Sequence, residues 1–242
     1  MIDLSRRSAV VTGASGNLGG TVVRRLLDQG AHVAVAVRSV AQGDALRATL
    51  NGAVTAPTAP RLLVFQADLG VTGEMEALVT SVLRAWGRLD ILVNAAGGFA
   101  PGGAAEPDLL AYRALWEQNV ATAVAATAAC LRPMRARRRG RIVSVGALAA
   151  LRGTAGATGY SMAKSALVRW TEALAAEVRD DGVTVNVVLP STIDGRENRA
   201  AMPKADPTRW ASPLEVANLI LFLASDEASG ITGASIPVNA RT

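Results

Sequence analysis

The chain of 242 residues has a single cysteine and a single histidine. Cys130 alone excludes an intrachain disulfide and fits a reducing compartment. With His32 as the sole histidine, no His, Cys and carboxylate cluster has metal-ligand spacing, so a metal centre is not expected. Long apolar runs are also missing. The longest spans residues 120–131, too short for a bilayer and broken by Thr122 and Thr127. The start, Met1-Ile2-Asp3-Leu4-Ser5-Arg6-Arg7, lacks the apolar stretch and small-residue cleavage site of a signal peptide. A cytoplasmic protein that does not associate with membranes is the expectation.

Acidic residues are in the minority, 20 against 25 Lys and Arg, giving a formal net charge of +5. Much of the basic excess lies between Arg132 and Arg141, at Arg135, Arg137, Arg138 and Arg139. Such a cluster can bind phosphate. Here no aromatic residues interleave with it, and no DNA- or RNA-binding motif accompanies it. It reads as a solvated connection, and nucleic acid is not an expected partner.

Half of the residues are hydrophobic, ample for a buried core. Apolar β-branched runs predict strands over residues 9–11, 32–37, 62–65, 91–93, 141–145, 184–188 and 235–238. Helical patterns lie between them, including residues 18–29, 73–86, 120–134, 161–179 and 214–224. Alternation of this kind predicts a mainly parallel seven-stranded sheet with helices on both faces. Residues 51–60, with Pro57 and Pro60, read as a loop before the third strand. No composition shift divides the chain, so residues 1–242 read as one doubly wound α/β domain of Rossmann type.

Three places carry chemistry. The first strand runs into Thr12-Gly13-Ala14-Ser15-Gly16-Asn17-Leu18-Gly19-Gly20 and then a helix. Small residues let backbone N–H groups approach a pyrophosphate, and the helix N-terminus adds a positive dipole. At the end of the second strand, an acidic residue would bind the adenosine ribose and exclude a 2′-phosphate. Val37 stands there and Arg38 follows, so NADP(H) is expected to be preferred, with NAD(H) still open. Tyr160 and Lys164 are four apart in a helical segment and share a face. An ammonium beside a phenol favours the phenolate, so Lys164 is expected to lower the Tyr160 pKa and suit it to proton transfer.

The phosphate turn resembles the Thr-Gly-x-x-x-Gly-x-Gly turn of the short-chain dehydrogenase/reductase family, with Asn17 in the middle glycine's position. Asn tolerates left-handed backbone angles better than other non-Gly residues. Asp68 and Leu69 follow the third strand, and Asn94-Ala95-Ala96-Gly97 follows the fourth. With Asn119, Tyr160 and Lys164, they resemble the family's motifs in order along essentially the whole chain. The resemblance implies hydride transfer with a nicotinamide cofactor, in which Asp68 faces the adenine and Tyr160 is the acid or base. It implies that Lys164 also binds the nicotinamide ribose and that Asn119 supports a water-mediated proton relay. Pro190-Ser191-Thr192-Ile193 then packs against the nicotinamide. A homotetramer or homodimer is implied as well.

Two positions depart from the family. A serine usually stands thirteen residues before the tyrosine; here it is Ala147, whose methyl cannot donate a hydrogen bond. Ser144, three positions earlier, has an odd offset that points it to the other face of a strand. Gly195 stands where much of the family has a threonine near the cofactor phosphates. Two readings stay open: a noncatalytic dinucleotide-binding protein, or a branch that works without the serine. Ala96-Gly97-Gly98-Phe99 and Gly146-Ala147-Leu148 resemble the dihydropteridine reductase branch of the family. That likeness implies a quinonoid pterin-like substrate, and the family resemblance more broadly a small carbonyl, quinone or quinonoid pterin-like one.

Overall fold

Valine-rich strands buried from end to end set the architecture. In the computed structural model, which describes residues 2–50, 61–71 and 73–240, seven strands form one sheet. They are β1 Ser8–Thr12, β2 His32–Val37, β3 Leu62–Gln66, β4 Ile91–Asn94, β5 Gly140–Val145, β6 Val183–Pro190 and β7 Ser235–Val238. Their order is β3-β2-β1-β4-β5-β6-β7, and every pairing is parallel. Every residue of β1, β5 and β6 is buried, as expected where helices cover both faces. The loop expected at residues 51–60 lies outside the described residues.

Eight α-helices accompany the sheet among the described residues: α1 Asn17–Asp28, α2 Val40–Thr49, α3 Glu74–Trp86, α4 Leu109–Trp116, α5 Thr122–Ala136, α6 Thr158–Glu177, α7 Arg196–Ala201 and α8 Pro213–Ala224. Because successive strand side chains alternate, β1 feeds two cores. Val11 joins Val35 and Val93 beneath Val22 and Leu26 of α1 and Ile220 of α8. Val10 joins Leu92 and Ile142 beneath Leu78 and Val82 of α3 and Met134 of α5. This is a doubly wound Rossmann-type fold, and the winding reverses between β1 and β4. Ligands in such sheets bind beyond the carboxyl ends of the strands at that switch point.

One helix differs from the sequence expectation. The segment expected to start at Val120 starts at Leu109, where the Asp108 carboxylate accepts the N–H groups of Leu110 and Ala111 at 2.9 and 3.0 Å. From there α4 continues through a π turn, Glu117–Ala121, directly into α5. Leu109, Leu110 and Trp116 are exposed, so apolar residues on the outer side obscure the helical period. The short helix α7 also carried no sequence signal.

The basic stretch is largely paired with acids and carbonyls. Arg135 binds Asp181, Arg139 binds Asp226, and Arg138 donates to the Asp180 carbonyl. Arg141, on β5, is buried and donates to the Ser225 carbonyl at 3.2 Å. No helix among the described residues is long and apolar enough to cross a membrane. Cys130 is fully buried, and burial pushes its thiol pKa up.

Candidate active site

The turn after β1 is shaped by close backbone approach. Gly13 has φ +68°, and a Cβ there would lie 2.5 Å from the Ala96 nitrogen and 2.6 Å from the Ala95 carbonyl carbon and oxygen. A Cβ on Gly19 would lie 2.1 Å from the Gly13 oxygen. The turn after β1 therefore rests directly on the turn after β4, and only glycine fits between them. Gly16 donates to the Gly13 carbonyl at 3.1 Å and precedes α1 without any side-chain cap. The first N–H groups of α1 have no intrahelical partner and no capping side chain, which leaves an anion-binding end. Ser15, Gly16 and Asn17 are exposed at this end, whereas the Leu18 side chain belongs to the core.

Beyond β2, Val37 is buried and Arg38 is exposed. Ser39 caps α2 by accepting the Gln42 N–H, and Gln42 in turn accepts the Arg38 N–H at 3.0 Å. The Arg38 guanidinium has no hydrogen bond or ion pair among the described residues. Asp68 is exposed; its Oδ1 accepts the Gly70 N–H at 2.9 Å, and its own N–H is held by Glu74. Leu69 packs against the core beside α3. The Asn94 side chain turns away from the cofactor edge: it is 2% exposed and donates to Thr127 Oγ1 and Ser144 Oγ at 3.1 and 3.4 Å. Any contact of Asn94 with a ligand must come from its backbone. Ser144 is fully buried and faces Asn94.

After β6, Pro190 pairs with Val238, and the Thr192 carbonyl accepts the Ala211 N–H at 2.8 Å. Ile193 bridges to Ala211, and its carbonyl accepts Asn198 Nδ2 at 2.7 Å. Trp210 lines a recess of about 340 Å³ with Asp194, Thr208, Ser212 and Glu215.

Asn119 and Lys164 converge on Gly97 after β4, with Tyr160 beside Lys164. Asn119 lies in the π turn, an element that recurs at functional sites. It is 1% exposed, and its Nδ2 donates to the Leu115 and Gly98 carbonyls, both at 2.9 Å. A Cβ on Gly97 would lie 2.7 Å from Asn119 Oδ1 and 3.4 Å from Lys164 Nζ. One small residue thus separates the amide from the ammonium. Lys164 Nζ sits 5.8 Å from the centre of the Tyr160 ring and donates to the Val145 carbonyl at 2.9 Å. Phe99 meets the Tyr160 ring edge-on, with centroids 5.1 Å apart at 77°, yet remains 65% exposed. Its position after a glycine pair was the only sequence signal for this contact.

The electrostatics reverse one expectation. Tyr160 is not lowered by its neighbour; burial pushes it up to about 12. Burial also pushes Lys164 down to about 8. Lys164 is removed from water and Tyr160 largely so, and loss of hydration favours the neutral form of each over their mutual attraction. Ala147 presents a buried methyl at the start of a 3₁₀ turn, Leu148–Ala150.

A parallel sheet with a backbone cradle after β1, and a partly buried tyrosine beside a buried lysine beyond β5, has the form of a nucleotide-dependent oxidoreductase. The chain belongs to the short-chain dehydrogenase/reductase family: the short chain dehydrogenase family model matches residues 7–206. It is 31% identical to nodulation protein G of Rhizobium sp. (strain N33), over 99% of this chain and 98% of that protein. It is also 31% identical to the 3-oxoacyl-(acyl-carrier-protein) reductase FabG of Vibrio cholerae, covering 98% of each. Among solved structures it resembles a short-chain oxidoreductase of Pseudomonas aeruginosa PAO1 described as containing an atypical catalytic centre. The TM-score is 0.90 at 27% identity, covering 98% of this chain and 97% of that one. The family places the chain among NAD(P)-dependent oxidoreductases.

Proposed function

We propose that the chain is an NADP(H)-preferring reductase of a small carbonyl, quinone or quinonoid pterin-like compound, with Tyr160 exchanging the proton. The supporting observation is that Asn119 and Lys164 meet at Gly97, with the Tyr160 ring 5.8 Å from Lys164 Nζ. The uncapped N-terminus of α1, set in place by the tight glycine packing at Gly13 and Gly19, fits the diphosphate of a dinucleotide. Backbone groups of Gly13, Ser15, Gly16, Asn17 and Leu18 would hold the diphosphate, and Arg38 the 2′-phosphate. Asp68 and Leu69 would flank the adenine. Asn94, Ala95, Ala96, Gly97, Pro190, Thr192 and Ile193 would line the nicotinamide side, with Tyr160 and Lys164 at the ribose. When bound, the nicotinamide supplies or accepts a hydride.

A phenol pushed up to about 12 is protonated at neutral pH, so Tyr160 Oη is poised to donate its proton to a reduced substrate atom. Lys164, pushed down to about 8, is mostly charged at pH 7 and holds its ammonium beside the ring. Asn119 fixes the loop after β4 against this pair. With a methyl at Ala147, the hydroxyl of Tyr160 carries the substrate contact that a serine would share. A substrate protonated on a ring nitrogen needs that second donor less than a simple ketone does, which favours the quinonoid class.

The reading includes one functional domain over residues 1–242, a cytoplasmic location, and assembly as a homodimer or homotetramer. The outward residues Val124 and Met162 of α5 and α6 support assembly, and light scattering measures it. The test of function is oxidation of NADPH and NADH across ketones, quinones and quinonoid pterins, in wild type and Tyr160→Phe. Turnover in the wild type that falls roughly 10²- to 10⁴-fold in Tyr160→Phe is the expected result. Equal rates would reject Tyr160 as proton donor. Ala147 favours a second reading, a noncatalytic dinucleotide-binding protein. NADPH binding without turnover on any substrate class would select it.

A further inference from the structure

Asn17 and Gly195 each depart from the family pattern, and they occupy the same space. The Asn17 carboxamide reaches from the first turn of α1 to the segment after β6, where Nδ2 donates to the Asp194 carbonyl at 2.7 Å. A Cβ on Gly195 would lie 2.4 Å from that same Nδ2 and 3.2 Å from Asn17 Cγ. The Gly195 backbone is extended, with φ −178°, a conformation open to any residue. A side chain at 195 is therefore opposed by the Asn17 carboxamide in its present position, not by the backbone.

The contact joins the turn after β1 to the segment after β6, two strands that β4 and β5 separate in the sheet. Asp194 is gripped by Arg199 of α7 through both carboxylate oxygens, at 2.6 and 2.8 Å. Asn198 of α7 holds the Ile193 carbonyl at 2.7 Å. Asn17 thus reaches α7 through Asp194. Among the described residues, its second amide N–H has no protein partner.

We propose that Asn17 is a positioning residue that ties the diphosphate turn to α7, filling the space left by glycine at 195. Its free N–H is available to a diphosphate oxygen, so cofactor binding at the turn also steadies the segment beside the substrate. This rests on the dinucleotide-binding reading above.

The test is a double-mutant cycle with Asn17→Gly, Gly195→Thr and the pair together. NADPH affinity is read by fluorescence titration, and α7 by limited proteolysis with and without saturating NADPH. Each single change is expected to weaken NADPH about tenfold, and the pair to recover to within about threefold of wild type. NADPH should protect residues 195–202 in the wild type and the pair, but not in Asn17→Gly. Asn17→Ala with Gly195→Ala forms a milder cycle should either single variant fail to fold. Additive losses in affinity would overturn the tie, as would Asn17→Gly that binds NADPH and is protected like wild type. A wild-type protein that binds neither NADPH nor NADH would sink the dinucleotide reading itself, and the tie with it.

Discussion

Asn119 and Gly98 clasp each other in both directions. Asn119 Nδ2 donates to the Gly98 carbonyl at 2.9 Å, and Asn119 Oδ1 accepts the Gly98 N–H at 3.2 Å. A side-chain amide presents this donor and acceptor pair in one plane. Through the clasp, the π turn between α4 and α5 holds the loop that carries Phe99 over Tyr160.

Asn119→Ala removes the side-chain partners of the Gly98 N–H and carbonyl, and one bond to the Leu115 carbonyl. A fully buried unsatisfied group costs about 1–3 kcal/mol, and the part-buried Gly98 groups less. The expected outcome is a clear fall in the denaturation midpoint, with Asn119→Asp intermediate because it keeps the acceptor but loses the donors. Thermal unfolding of the three proteins decides it; equal midpoints would show that the clasp contributes nothing.

Arg38→Asp reverses the charge at the end of β2. Loss of a charge-assisted bond to a 2′-phosphate corresponds to about 1.5–3 kcal/mol, roughly 10- to 100-fold in affinity. NADPH is expected to weaken by that factor while NADH binding holds or improves. An unchanged ratio of the two dissociation constants would remove Arg38 from cofactor selection.

Lys164 gives stability a pH signature. Its folded pKa, about 8, lies below the ordinary 10.5, so between those values the folded protein has released a proton that the unfolded chain retains. Stability contributed by this site therefore rises with pH from about 8 to 10.5, by up to about 3 kcal/mol, and is absent below that window. Lys164→Met should flatten the rise. Denaturant unfolding between pH 7 and 9.5 measures it, and parallel slopes for the two proteins would contradict the assignment. Tyr160 acts in the opposite sense only above pH 10, because burial raises its pKa.

Ala147→Ser restores a hydroxyl at the start of the 3₁₀ turn, a position that serine favours as a helix cap. Turnover of simple ketones should increase about tenfold or more as a second donor reaches the carbonyl. Quinonoid substrates should gain little. Steady-state kinetics on one compound of each type makes the comparison; no gain on ketones would show that the methyl does not restrict them.

The strands were legible because a parallel sheet covered on both faces leaves continuous valine-rich runs, as in His32–Val37 and Val183–Pro190. The start of α4 was hidden because Leu109 and Leu110 face outward, against the amphipathic rule that locates most helices. The spacing of Tyr160 and Lys164 brought the two groups together in sequence terms, but spacing carries no information on water. Burial decided the direction of both pKa shifts. Asn17 and Gly195 were visible as two separate departures, and only their 2.4 Å approach makes them one.

The π turn at Glu117–Ala121 has a consequence for how the chain tolerates deletion. A π turn holds one residue more than the α-helical turn it replaces, so it behaves as an inserted residue inside a continuous helix. Removing Gln118 would let residues 109–136 close into one regular α-helix whose two parts keep their facing, because about five residues in a π turn sweep the same arc as about four in an α-helix. Leu115 would stay against Ala163 of α6, and Ala126 and Met134 would stay in the core they share with the sheet. A missing residue at this point would be felt locally, as loss of the bulge that aims the Asn119 amide at Gly98.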